Sequence, residues 1–158
     1  MKKNFLTIIA VMLCMISVST AQTTMEWSDY KIQFTFSDDL QELTNTSDNY
    51  VAASPSKDFV ISLGPCDYSG VDEKTMGELL TQTALQDLGI NIDDAEIEEF
   101  TCVKGAGVYI IGTNRDGQLC LMALALSKAT KKALFVAEFF SEERAKEAGM
   151  VLGSITFK

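Results

Sequence analysis

The chain has 158 residues, 47% of them hydrophobic and 22% charged, with 13 Lys and Arg against 22 Asp and Glu and no histidine. A net charge of −9 repels phosphate backbones and anionic membranes alike, which excludes nucleic acid as a ligand class. Without histidine, Ser-His-Asp and Cys-His catalysis fall away, together with the commonest zinc ligand.

Met1-Lys2-Lys3 precede an apolar run from Phe5 to Val18, and Ser19-Thr20-Ala21 stand before Gln22. A positive end, a short apolar middle and small residues before a junction predict a signal peptide over residues 1–21, cleaved after Ala21. The run is shorter than the roughly 20 residues that cross a bilayer, so no stable membrane span is expected after cleavage. Cys14 follows Leu13 inside the apolar run, which is not a lipid-attachment context, and it leaves with the leader. Removing residues 1–21 leaves 137 residues and takes away two lysines and no acid, for a net charge of −11. That length predicts a single exported domain, periplasmic or secreted.

Residues 22–29 read as a polar lead, and the domain is expected over 30–158. Tyr30, Ile32, Phe34 and Phe36 alternate with polar Lys31, Gln33 and Thr35, the period of a strand with one wet face. Leu43 to Ser47 reads as a weaker strand. Tyr50–Ser54 and Phe59–Leu63 read as a hairpin around Ser54-Pro55-Ser56-Lys57, where proline suits a turn. Gly64 to Val71 reads as a loop. A helix is expected from Asp72 as cap through Met76, Leu79, Leu80, Thr83, Ala84 and Leu88, ended by Gly89 with Ile90 against it.

Strands are then expected over Glu96–Val103, Val108–Thr113, Gln118–Ser127 and Ala133–Phe140. A last helix over Glu142–Leu152 follows, capped by Ser141. Leu119 to Leu126 is apolar at every position, and Ala133 to Ala137 nearly so. Leu, Ala and Met also favour helix, but turn signals about ten residues apart point to strands. A strand with no polar side must be covered on both faces. The expected fold class is therefore α+β, a mostly antiparallel sheet with one helix packed on each face.

No constellation in the chain carries recognisable chemistry. Ser54-Pro55-Ser56-Lys57 and Ser47-Asp48-Asn49 match two signatures of penicillin-recognising enzymes, but in reversed order, too close together, and with no Lys-Thr-Gly. Asp93, Asp94, Glu96, Glu98 and Glu99 lack the glycine and alternating oxygens of a calcium loop and read as a solvated edge. Gly105-Ala106-Gly107 precedes a strand and reads as a tight turn, not a dinucleotide fingerprint. Neither metal nor cofactor is expected. Cys66, Cys102 and Cys120 remain after leader removal, and without a Cys-x-x-Cys they read as small buried hydrophobes. Cys102 and Cys120 fall on strands separated by one other, too far for a bridge. The loop bearing Cys66 and Tyr68, between a strand and a helix start, is the weak candidate for a ligand site.

The order of elements resembles the PsbP-like fold and the DcrB-like envelope proteins built similarly. The shared features are an alternating first strand (Tyr30 to Phe36), a hairpin ending in Phe59–Leu63, a single amphipathic helix, a three-strand meander from Gly107, and a final helix before an apolar tail (Ile155 to Phe157). The resemblance implies a binding or assembly subunit without catalytic residues, and no functional residue carries over. The missing lipid-attachment site departs from the lipoprotein members. The chain is expected to be a non-enzymatic binding or accessory module of the cell envelope with a protein partner. The alternative is a small-ligand or lipid carrier with a cavity between sheet and helices.

Overall fold

The computed structural model describes residues 21–68, 73–91, 93 and 95–158. The expected leader through Thr20, the helix cap expected at Asp72, and Asp94 lie outside them.

The run Leu119–Leu126 forms strand β8 (Leu119–Ser127). Around it stand β3 (Gln41–Asn45), β4 (Tyr50–Ala53), β5 (Phe59–Asp67), β6 (Glu96–Cys102), β7 (Gly105–Thr113) and β9 (Lys132–Phe140). They make a seven-stranded sheet in the order β3-β4-β5-β9-β8-β7-β6, antiparallel at every pairing. Along β8 the side chains alternate between two dry interiors. Cys120, Met122, Leu124 and Leu126 enter one; Leu121, Ala123 and Ala125 enter the other. None of these residues is more than 6% exposed.

One face is covered by helix α1 (Glu73–Thr83), continued by one wider turn over Ala84–Leu88. Met76, Leu80 and Ala84 are buried against the sheet, whereas Leu79, expected on the same face, is 40% exposed. Gly89 ends the helix at φ 67, a left-handed conformation that costs glycine nothing, and its N–H donates to the Ala84 carbonyl. Ile90 packs beneath it, as the sequence predicts.

The opposite face carries more than a helix. Strands β1 (Gln22–Trp27), β2 (Ile32–Ser37) and β10 (Thr156–Phe157) form a small antiparallel sheet in the order β1-β2-β10. Helix α2 (Ala145–Ser154) packs beside it. Ile32, Phe34 and Phe36 all point inward. Trp27, Phe34 and Phe36 stack around Tyr50 of the large sheet, ring centroids 5.5–6.5 Å apart, which fastens the two sheets together. Val103, in the β6–β7 turn, donates its N–H to the Ile155 carbonyl and accepts from the Phe157 N–H, so β10 joins the large sheet to the small one.

Four details differ from expectation. The polar lead is strand β1, paired with β2 from Gln22 opposite Ser37 to Trp27 opposite Ile32, and it begins one residue after Ala21. Only Met25 and Trp27 supply inward apolar groups, too few to mark an edge strand by alternation. Secondly, β5 runs on to Asp67, so the first part of the expected loop, Gly64–Asp67, is strand. The strand tolerates Pro65 because β4 ends opposite Leu63, leaving β9 as the ladder partner from Gly64 onward. Thirdly, Gly105 and Gly107 lie inside β7, and the turn is Val103-Lys104. Lastly, the final helix starts as a single 3-10 turn over Glu142–Arg144 before α2. Ser141 is extended like a cap, but its hydroxyl makes no bond; its carbonyl accepts from the Arg144 N–H instead.

Arg144 clamps the start of α2. Its guanidinium donates to both oxygens of Asp39 at 2.8 and 3.1 Å and to Glu147 at 2.6 Å, and it lies 5.5 Å over the Phe59 ring. The hydrogen bond from Arg144 holds the Asp39 carboxyl below its ordinary range. Glu147 moves the other way, because its burial outweighs the same arginine. Arg144→Gln is expected to cost on the order of 1 kcal/mol, more at low salt than at high. Since the folded state depresses the Asp39 pKa, its contribution is present above the ordinary Asp range and fades as pH falls through it. Urea unfolding at two ionic strengths and across the acid range checks both.

Gly149 lies mid-helix in α2, and a Cβ there would meet nothing within 4 Å. Gly149→Ala should therefore stabilise the protein by about 0.5–1 kcal/mol, read as a rise in Tm.

Glu138 stands in the middle of β9 between Ile61 of β5 and Leu121 of β8, on the face shared by Leu134, Val136 and Phe140. It is fully buried, and neither carboxylate oxygen has a hydrogen-bond partner. Burial alone raises its pKa well above the ordinary 4.5 and favours the neutral acid.

Candidate functional site

Helix α1 does not cover the whole of its face of the sheet. Beside it, where the β6–β7 and β8–β9 turns meet, a half-open groove of about 1010 Å³ remains. Met76 of α1 forms one wall, and Ala106, Val108 and Leu126 line it from β7 and β8. Glu99 and Thr101 of β6 contribute polar groups, and Lys104 and Lys128 contribute cations from the two turns. Ala106 is exposed and Val108 half-buried, so the groove presents apolar surface to solvent. A second hollow, of about 570 Å³, lies at the other end of β7 among Leu85, Ile90, Asn91 and Arg115.

Sequence reasoning did not find the groove, because its residues come from two helices, three strands and two turns. A usable signal existed. Placing Leu126 opposite Ala106 brings the lysines of both turns to one end of the sheet.

The weak candidates Cys66 and Tyr68 both stand against the core under α1. Cys66 sits on β5 opposite Ala133, half-buried against the core under α1. Tyr68 packs on the same core and donates its N–H to the Lys131 carbonyl. Cys66, Cys102 and Cys120 are free thiols, and β7 runs between the strands of the last two. Burial raises the pKa of each thiol: Cys66, also raised by Asp67; Cys102, to about 11; and Cys120. A nucleophilic thiol needs the opposite shift. Cys102 should react with a maleimide on the order of 100-fold more slowly than a free thiol at pH 8, which stopped-flow labelling checks.

The remaining motifs are structural. Ser54, buried in the β4–β5 turn, donates its hydroxyl to Asp58 and accepts the Phe59 N–H, while Lys57 occupies a left-handed turn position. Asp48 and Asn49 close the turn at the other end of β4, where Thr46 donates its N–H to the Asn49 carbonyl. Glu98 accepts a 2.6 Å hydrogen bond from the Tyr109 hydroxyl, and Glu96 and Glu99 are exposed. Among the described residues, no three His, Cys, Asp or Glu side chains come together as a metal site. None of the described helices is long and apolar enough to cross a membrane.

A large antiparallel sheet with α1 on one face, and α2 with a small sheet on the other, defines a class of α+β sandwich. The particular version is the PsbP-like fold. Cyanobacterial PsbP (CyanoP) from Synechocystis superposes with a TM-score of 0.59 at 9% identity, covering 90% of this chain and 95% of that one. The Ran-binding protein Mog1p of Saccharomyces cerevisiae gives 0.55 at 12% identity, covering 88% and 96%. A Bacteroides thetaiotaomicron protein gives 0.52 at 11% identity, covering 89% of this chain and 49% of its own. In sequence, the chain matches no protein-family model and no curated protein.

Proposed function

We propose that this protein is an exported, non-enzymatic binding or accessory module of the bacterial cell envelope that engages a protein partner. The groove beside α1 carries the reading: it is open and partly apolar. The fold supports it, since one protein that shares the fold is named for binding another protein, Ran. The leader over residues 1–21 supports export.

A photocrosslinker at Ala106, in the groove, should yield one defined adduct in the producing cell, whereas one at Gln41 on the far edge strand should not. Equal labelling from both positions, or turnover of a substrate by the purified protein, would defeat the reading. N-terminal sequencing should begin at Gln22; a start at Met1, or a lipid on Cys14, would defeat export by this route.

A second reading, a small-ligand or lipid carrier, is favoured by the apolar groove lining. The cavity is not enclosed between layers. Phe34, Phe59, Phe140 and Phe157 fill the interior between the two sheets, and the space lies to the side of α1.

A further inference from the structure

Strand β6 ends the large sheet, and among the described residues no strand pairs with its outer side along Glu96–Thr101. Val103, just past its end, shows which groups that side presents: its N–H and carbonyl both bond β10, away from β7. Peptide groups alternate in direction along a strand. Those of Ile97, Glu99 and Thr101 therefore also point away from β7, with no strand to meet them. Sheet edges are commonly blunted by a bulge, a proline or a lysine. The opposite edge, β3, breaks its register between Glu42 and Thr44. β6 keeps an unbroken register with β7 and holds neither proline nor lysine. Ile97 is 55% exposed, on the face where Glu99 and Thr101 line the groove, so open edge and groove form one surface.

The guard on this edge is charge of one sign, from Glu96, Glu98 and Glu99. Glu98 is engaged by the Tyr109 hydroxyl, while Glu96 and Glu99 stand exposed. Such an edge repels a second copy, which would bring the same acids, and attracts a strand of opposite charge. The lysines that line the groove, Lys104 and Lys128, lie in turns beyond the open stretch, at the end β10 already occupies. We infer that the β6 edge receives an extended, lysine- or arginine-rich segment of a partner protein, which adds to the sheet along Glu96–Thr101 and lays apolar side chains on Ile97 and the groove bed. The inference rests on the partner reading and names the partner's charge and its mode of docking.

The test uses a short capped peptide of alternating lysine and valine, with a glutamate–valine peptide as control. Calorimetry should show saturable binding of the lysine peptide, one per chain, and none of the control. Binding should weaken about tenfold when Glu96 and Glu99 are both changed to lysine. Amide exchange at Ile97, Glu99 and Thr101 should slow by about tenfold or more on binding. Ile97→Pro removes an outward N–H and leaves the β7 ladder intact, so it should abolish binding in a protein that still melts cooperatively. If that variant fails to fold, the exchange pattern and the lysine variant decide. Equal binding of the control, binding that leaves those amides unprotected, or no binding of the lysine peptide overturns the inference. In each case a defined adduct from Ala106 in the cell keeps the partner reading, and its absence removes that as well. A concentration-dependent dimer that protects the same amides overturns the inference in favour of a second copy.

Discussion

Glu138→Leu is expected to stabilise the protein at neutral pH by on the order of 2 kcal/mol or more, because it replaces an unpartnered buried acid by an apolar side chain of similar size. The larger signature is in the pH profile. In the folded state the Glu138 pKa is raised above its ordinary value of 4.5, so the native chain holds a proton that the unfolded chain has released. Stability conferred by the neutral acid is complete below the ordinary Glu range. It is lost, at about 1.4 kcal/mol per pH unit, as pH rises from there to the folded pKa. The stability difference between wild type and Glu138→Leu should widen with that slope as pH rises above the ordinary Glu range, which isolates this group from the carboxylates around Arg144. Glu138→Gln should remove the slope with a smaller gain, since its amide stays unpartnered. Guanidinium unfolding at four pH values decides. A parallel pair of profiles, or a less stable leucine variant, would mean that the acid has a partner in solution.

Gly107→Ala is expected to destabilise by about 3 kcal/mol, for a steric reason alone. Its Cβ would stand 2.5 Å from the Leu124 carbonyl oxygen on the neighbouring strand and 2.5 Å from the Phe100 ring. The carbonyl belongs to the middle of the sheet and cannot retreat without parting β7 from β8. Gly112→Ala makes a graded control. There the nearest atom is a methyl of Ile90 at 2.8 Å, a side chain that can turn aside, so the loss should be smaller. Thermal melts of both variants suffice; a neutral Gly107→Ala would show that the strands are not packed this closely.

What was legible in the sequence is what burial on a regular period makes legible. The run of β8, read as strand from the turn signals around it, had to be covered twice, and the alternation of Ile32, Phe34 and Phe36 put them on one inward face. Gly89 announced its own conformation. Long-range pairing was harder to read. Strand β1 is an edge with two inward apolar residues, and Gly64-Pro65 signal a break that the one-sided ladder with β9 absorbs. The small sheet pairs residues more than a hundred positions apart, beyond the reach of any local pattern. The groove was hidden for the same reason, because its walls meet only once the meander has its register. Cys66 and Tyr68 looked like a loop site because the glycine and proline before them do not show which side of a strand is free.

The pairing of β2 with β10, Ile32 opposite Phe157, and the grip of Val103 on the same strand have a temporal consequence. An early strand waits for a late one. Until Thr156 and Phe157 have been synthesised, the small sheet lacks a member and the β6–β7 turn lacks its anchor, so the nascent polypeptide stays open along a hydrophobic seam. Shielding that seam from aggregation during biosynthesis falls to whatever handles the growing chain, and acquisition of the native state becomes a single late event.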